Sequence, residues 1–342
     1  MTPARFQFSD LVVPVVAAPM AGGPSTPELA AAATNAGGLG FVAAGYLSVE
    51  DFADRLATAQ KLVSAPVGAN LFVPQPSLNN ADEVSRYAEA LADDAQRYGA
   101  ELGSPRYSDD GFDAKLDVLL DLRPEVASFT FDVPNVEQIR RLAQAGIATV
   151  ATVTSAAEAE LAVSRGVDAV VVQGPEAGGH RGTYDATAQP NSKPLQELLS
   201  AVLERVSIPV VAAGGLMTAA DVDGVLRTGA VAAQLGTAFL LSAEAGSSPV
   251  HRAALQDPQF TETAVTRAFS GRYARGLRNR FMDEHESHAP FGYPEIHYLT
   301  SPLRSAAVRA GDPHGTNVWA GTAFKKAKAA PVAAIMGELS CS

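Results

Sequence analysis

A (β/α)8 barrel is the fold that this 342-residue sequence predicts, on three observations. Strand-like and helix-like segments alternate from residue 12 to residue 239. The strand-like runs are short and continuously apolar, the pattern of strands buried on both faces in a parallel sheet. Their ends are punctuated by glycine, and eight such units suit a closed barrel. A doubly wound sheet is the runner-up, disfavoured because no G-x-G-x-x-G follows an early strand and no G-x-x-x-x-G-K-[ST] occurs.

The eight runs are VVPVVAAPM (12–20), LGFVAAG (39–45), VGANLFV (67–73), VASFTF (126–131), IATVATV (147–153), VDAVVVQG (167–174), PVVAAGG (209–215) and AVAAQLGTAF (230–239). Amphipathic patterns lie between most of them. One helix is expected from Thr26-Pro27-Glu28, an N-cap residue followed by proline at the first helical position. A second starts at Ser48, which precedes an acidic first turn. A third starts at Thr218, after the glycine pair 214–215. Residues 74–112 interrupt the rhythm with PQPSLNN, a polar helix and GSPRYSDDGF, and from about residue 245 the alternation is lost. Both insertions read as a cap over the carboxyl end of the barrel, where long βα loops serve as lids. The expected organisation is a barrel over 1–245, with the insertion 74–112 near the site. A smaller, mainly helical cap covers 246–317, and a C-terminal helix (318–342) returns to the barrel.

Composition limits the function classes. With 47% hydrophobic and 18% charged residues the chain can bury a large core. A net charge of −11 argues against a nucleic-acid or anionic-membrane surface. The one cysteine, Cys341, excludes an intramolecular disulfide and Cys-based zinc or iron–sulfur sites. The N-terminus lacks the apolar run of a signal peptide, and no apolar stretch is long enough to span a bilayer. A soluble, cytoplasmic protein is the expectation.

The segment VVVQGPEAGGHRG (170–182) is the most informative. A Val run ends in Gln173-Gly174, and a glycine-rich loop then presents His180 between Gly179 and Arg181. Glycines let a backbone approach a ligand closely, and a histidine there can move a proton near neutral pH. A loop histidine that only ties down carbonyls is the plainer alternative; two flanking glycines at a strand's carboxyl end favour chemistry. AAGG (212–215) and QLGT (234–237) end the seventh and eighth runs, where such barrels often bind phosphate through backbone N–H groups. Gly214, Gly215, Gly236 and Thr237 suit that role. Asn70 and Gln173 are amides in apolar strands, fit either for a flavin's pyrimidine edge or for a structural network.

APMAGG (18–23), GANLF (68–72), GPEAGGHRG (174–182), AAGG (212–215), QLGT (234–237), RGLRNRF (275–281) and VWAG (318–321) together resemble the nitronate monooxygenase family, in the same order over roughly residues 10–325. The resemblance implies an FMN-containing barrel that oxidises alkyl nitronates, such as propionate 3-nitronate, with O2 to a carbonyl product plus nitrite or nitrate. It assigns FMN to Asn70, Gln173, Gly178, Gly215 and Gln234-Leu235-Gly236-Thr237, with Gly214 beside them in the glycine pair, and the catalytic base to His180. Gly178 and Gly179 would leave room for substrate beside the flavin. FMN-dependent NAD(P)H reductases of enoyl thioesters or quinones share these motifs less completely. A flavin-free barrel binding a phosphate ligand is the reading from another class. The substrate and O2 are the expected small-molecule partners, and a homodimer is left open.

Three other groups stand out. Asp283, Glu284, His285, Glu286 and His288 have metal-like spacing, but a solvated helix explains them and no metal is expected. Trp319, in NVWAG, is a substrate-wall candidate through the resemblance. Arg267, Arg272, Arg275, Arg278 and Arg280 form a basic cluster. Surface ion pairs are its ordinary explanation; the sharper expectation is that Arg275 or Arg278 faces the site and pairs with an anionic substrate.

Overall fold

The computed structural model describes residues 5–78 and 80–340, so Cys341 lies outside the described residues. The strands are β1 (Val15–Ala17), β2 (Gly40–Ala43), β3 (Val67–Phe72), β4 (Val126–Thr130), β5 (Ala148–Val153), β6 (Ala169–Gln173), β7 (Gly179–His180), β8 (Val210–Ala213), β9 (Ala232–Leu235), β10 (Thr263–Thr266) and β11 (Ala274–Leu277). The helices are α1 (Pro27–Asn35), α2 (Val49–Lys61), α3 (Ala81–Ala90), α4 (Ala92–Tyr98), α5 (Phe112–Leu122), α6 (Val136–Gln144), α7 (Ala156–Ser164), α8 (Leu195–Leu203), α9 (Ala219–Thr228), α10 (Pro249–Gln256), α11 (Arg280–His285), α12 (Glu295–Arg309) and α13 (Val332–Leu339).

Eight strands pair in parallel in the order β1-β9-β8-β6-β5-β4-β3-β2. A parallel bridge between Val16 and Leu39 joins the two ends. There Ala17 N–H donates to Leu39 O at 2.9 Å, and Leu39 N–H donates to Val15 O at 3.1 Å. The predicted (β/α)8 barrel is therefore present, each strand lying inside the run expected for it. Strand side chains alternate between two layers. In β6, Ala169 and Val171 fill the lumen with Val16, Phe41 and Val211, while Val170 and Val172 pack outward against the helices.

The helix starts read from sequence hold at atomic detail. Thr26 accepts from Leu29 N–H with Pro27 at the first helical position, and Ser48 accepts from Asp51 N–H. Thr218 forms a reciprocal capping box with Asp221.

The segments outside the barrel alternation carry more strand than expected. β10, β11 and β7 form a three-stranded antiparallel sheet, in which Ala274 pairs with His180 and Arg275 with Gly179. α3 packs Val84 and Tyr87 against Phe269, Phe281 and Ile296 in a separate apolar cluster, and Tyr87 donates to Ala268 O at 2.5 Å. α13 returns to the main core, placing Val332, Ile335 and Met336 beside Leu29 and Ala33. Among the described residues no helix is long and apolar enough to cross a membrane.

Candidate active site

A cavity of about 610 Å3 opens at the carboxyl ends of the barrel strands, within the ~300–1,000 Å3 range of small-molecule and cofactor sites. His180, Asn70, Gln173, Gly178, Gly179, Gly214, Gly215, Gln234, Leu235, Gly236, Thr237 and Trp319 all line it. Asn70 and Trp319, 249 positions apart in the chain, thus line the same cavity.

The loop after β6 is held from every side. Gln173 spans it: Nε2 donates to His180 O at 3.0 Å and Oε1 accepts from Gly182 N–H at 2.9 Å. Both ends of that amide are therefore engaged in positioning the histidine. Arg181, fully buried, donates to Gly174 O at 2.6 Å and Gln173 O at 3.2 Å. Arg272, also fully buried, donates to the carbonyls of Arg181 and Thr183 and lies 4.0 Å over the Phe131 ring. The acceptors are neutral and leave Arg181 Nε and Arg272 Nη1 without a partner among the described residues; burial pulls both guanidinium pKa values down to about 10, leaving them charged at neutral pH.

His180 projects from the short β7 strand into a nest of rings. Its centroid lies 5.8 Å from Phe131, 5.4 Å from Tyr293 and 5.7 Å from Trp319. Nε2 is 2.8 Å from Ser270 Oγ, whose own hydroxyl donates to Arg272 O at 3.3 Å. Ser270 Oγ then accepts from Nε2–H, which leaves the Nδ1 lone pair as the free basic site. Burial, reinforced by the guanidiniums of Arg272 and Arg304, pushes the His180 pKa down to about 3. The imidazole is neutral at physiological pH, the state a proton acceptor requires.

Beside this loop, β8 and β9 end in a cradle of backbone. Gly214 and Gly215 have φ of 115° and 72°, in the left-handed region that favours glycine. A Cβ on Gly215 would meet Glu176 Cβ at 2.8 Å. The N–H groups of Gly214, Gly215, Gly236 and Thr237 make no hydrogen bond among the described residues. Thr237 Oγ1 accepts from Gly321 N–H at 2.9 Å, so its hydroxyl hydrogen is free to donate. Asn70 spends its Nδ2 on Ser128 Oγ at 2.8 Å and Thr130 Oγ1 at 3.2 Å, leaving its Oδ1 for the cavity. Unpaired donors at the end of two strands and an amide acceptor deeper in the barrel fit a phosphate-bearing heteroaromatic cofactor.

The arginine cluster does not supply the site's charge. Arg275 donates to Pro175 O at 2.9 Å and Thr263 Oγ1 at 3.0 Å, and does not line the cavity. Arg278 is 51% exposed and paired with Glu262 at 2.9 Å and Asp283 at 2.7 Å, so it too stays outside. The sequence expectation for these two residues is corrected: carboxylates and carbonyls on the outer side of the small sheet hold them there. Among the described residues the one charged side chain lining the cavity is Arg304, on α12, which no local motif signalled. Ser270 and His297 were also missed, because their relation to His180 and Arg304 is visible only in three dimensions. Of the metal-like group, His285 is buried with Nε2 2.7 Å from Asp94, which also accepts from Arg280 at 2.7 Å, and Glu284 lies beside them with its ligand atom within 4.8 Å of both.

Comparison with known proteins agrees with this geometry. The profile of the family described as Nitronate monooxygenase matches residues 5–341. A probable nitronate monooxygenase of Staphylococcus aureus (strain MRSA252) is 36% identical, over 97% of this chain and 95% of that protein. The crystal structure of nitroalkane oxidase from Streptomyces ansochromogenes superposes with a TM-score of 0.92 at 46% identity, covering 97% of this chain and 96% of that one. FabK from Thermotoga maritima shares the fold, with a TM-score of 0.76 at 24% identity over 98% of this chain and 95% of its own. The barrel, the order of its motifs and these matches over nearly the whole length make this flavin-dependent oxidoreductase a member of the nitronate monooxygenase family.

Proposed function

We propose that the protein is an FMN-dependent nitronate monooxygenase that oxidises alkyl nitronates, propionate 3-nitronate among them, with O2 to a carbonyl product plus nitrite or nitrate. The observation that carries this reading is a neutral, ring-packed His180 with a free Nδ1, facing a cavity whose lining contains no carboxylate. Gly214, Gly215, Gly236 and Thr237 would hold the FMN phosphate, and Asn70 and Gln234 the flavin ring; Gln173 holds the loop that carries His180. FMN, when bound, supplies the acceptance of electrons from the nitronate and their delivery to O2.

The chain's own residues then have definite tasks. With a nitroalkane, His180 Nδ1 takes the α-proton, the C–H electron pair moves into the nitro group, and the nitronate forms in place. With a preformed nitronate no proton is moved and His180 orients the anion. The fixed Nε2–H···Ser270 contact keeps Nδ1 aimed at the cavity. Trp319 and Phe131 exclude water from that side of the imidazole. A cytoplasmic location is part of the same proposal. The test is the absorption spectrum of the purified protein, followed by separate anaerobic additions of propionate 3-nitronate and NADH. Flavin bands that bleach with the nitronate support the reading. Colourless protein, or bleaching within turnover time by NADH alone, refutes it.

A further inference from the structure

Among the described residues Arg304 is the only charged one that lines the cavity, in a protein whose formal net charge is −11. Among the described residues it has no carboxylate partner. Its guanidinium is held by neutral acceptors: Nε donates to Thr300 Oγ1 at 3.0 Å, Nη1 to Asn317 Oδ1 at 2.7 Å, and Nη2 to His297 O at 3.0 Å and Nδ1 at 3.2 Å. A guanidinium carries five N–H donors, so one N–H on Nη1 is left over. Burial lowers its pKa only to about 10, so it is a cation at neutral pH. An unpaired buried charge is costly unless something on the ligand compensates it.

Its position is as informative as its charge. His297, which accepts from Arg304, stacks on Tyr46 with centroids 4.1 Å apart. The Tyr293 hydroxyl donates to Tyr46 Oη at 3.0 Å, and Tyr293 packs on His180 at 5.4 Å. His180 and Arg304 are thus linked through Tyr293, Tyr46 and His297, and of these rings Tyr46 and His297 line the cavity together with them. Ser301 and Ser305 lie on the same face of α12 as Arg304 and also line the cavity, and Ser305 is exposed at its mouth. A ligand that engages both residues needs its reacting group at His180 and a second, anionic acceptor for the cation at Arg304.

We propose that Arg304 is a specificity-determining residue that receives the remote carboxylate of a carboxylate-bearing nitronate whose reacting end lies at His180. This rests on the nitronate reading of the site above. Its bonds to Thr300, Asn317 and His297 preorganise the guanidinium, so little side-chain freedom is lost when the carboxylate docks.

The experiment compares propionate 3-nitronate with ethylnitronate, which has no second charge, on the flavin-loaded enzyme and three variants. Arg304→Met should raise KM for propionate 3-nitronate by about 10- to 150-fold, the usual effect of losing one charge-assisted pair. Its kcat, and both constants for ethylnitronate, should not change. Arg304→Lys should recover part of the loss. Asn317→Asp is nearly isosteric and gives Arg304 an internal carboxylate, so it should reproduce the selective rise even if Arg304→Met folds poorly. Equal losses on both substrates, no loss on either, or loss of bound flavin would overturn the proposal. A second readout needs no turnover: 3-nitropropionate and propionate are titrated against the fluorescence of Trp319, the only tryptophan. If wild type oxidises neither nitronate, the functional reading fails; carboxylate binding that weakens in Asn317→Asp still supports the role of Arg304, and binding indifferent to it overturns that role.

Discussion

Replacing His180 by asparagine separates proton transfer from every other task in the site. The backbone at 180 is held by pairing to Ala274 and by Gln173 Nε2 on its carbonyl, neither of which depends on the side chain. Asparagine is polar and fits the space between Phe131, Tyr293 and Trp319, but it cannot accept a proton at neutral pH. General-base catalysis by a positioned side chain is worth ~10²–10⁴-fold. Turnover of a neutral nitroalkane should therefore fall by that factor, while oxidation of preformed ethylnitronate should fall far less. The pH profile adds a second number. With its pKa at about 3, only about one free protein in 10⁴ carries imidazolium at pH 7. kcat/KM for the nitroalkane, which reports the free enzyme, should stay level down to about pH 4, where a histidine of ordinary pKa 6.5 would already have lost almost all of its base form. The assay is initial-rate oxygen consumption with each substrate from about pH 4 to 8, with flavin content measured for both proteins. Equal losses on the two substrates, or a limb near pH 6.5 in the wild type, would refute the assignment of His180 as a neutral base.

Gly215→Leu places a side chain into the backbone cradle at φ 72° and against Glu176 Cβ; it should yield protein with native far-ultraviolet circular dichroism but little bound flavin, and full flavin content would remove Gly215 from the phosphate site. Burial depresses His180, His251 and His297 to about 3, 4 and 2, so the unfolded chain takes up protons below pH 6.5 that the folded chain does not. Stability is therefore complete above 6.5 and falls as pH drops, by up to about 4 kcal/mol for the three at pH 5.5; thermal melts at pH 7.5 and 5.5 check this, and a His180→Asn/His297→Gln double variant with the same pH dependence as wild type would contradict it. Arg278→Ala removes only exposed, solvent-screened ion pairs, so Tm should stay close to that of wild type, and KM for propionate 3-nitronate should not move.

Much of the barrel was legible because its information is local. Continuous Val and Ala runs mark strands buried on both faces, and Thr26, Ser48 and Thr218 cap their helices through atoms three residues away. Gly214 and Gly215 in the backbone cradle and Gly179 in the His180 loop have a similar local reason, since their positive φ excludes most other residues. What the sequence could not determine is which side chains meet across long separations. His180 acquires its tautomer from Ser270, 90 positions away, and its neutrality from burial beside Arg272 and Arg304. β7 has two residues and no pattern of its own; it exists because β11 offers a partner edge. The basic cluster at 267–280 drew attention by its density, yet Glu262, Asp283 and backbone carbonyls use it up outside the cavity. Arg304 sits inconspicuously in an ordinary helix, and only the packing of α12 brings it, unpaired, to the cavity wall. Local propensity depends on neighbours in sequence, whereas the charge and reactivity of a buried group depend on neighbours in space, and those the tertiary structure alone decided.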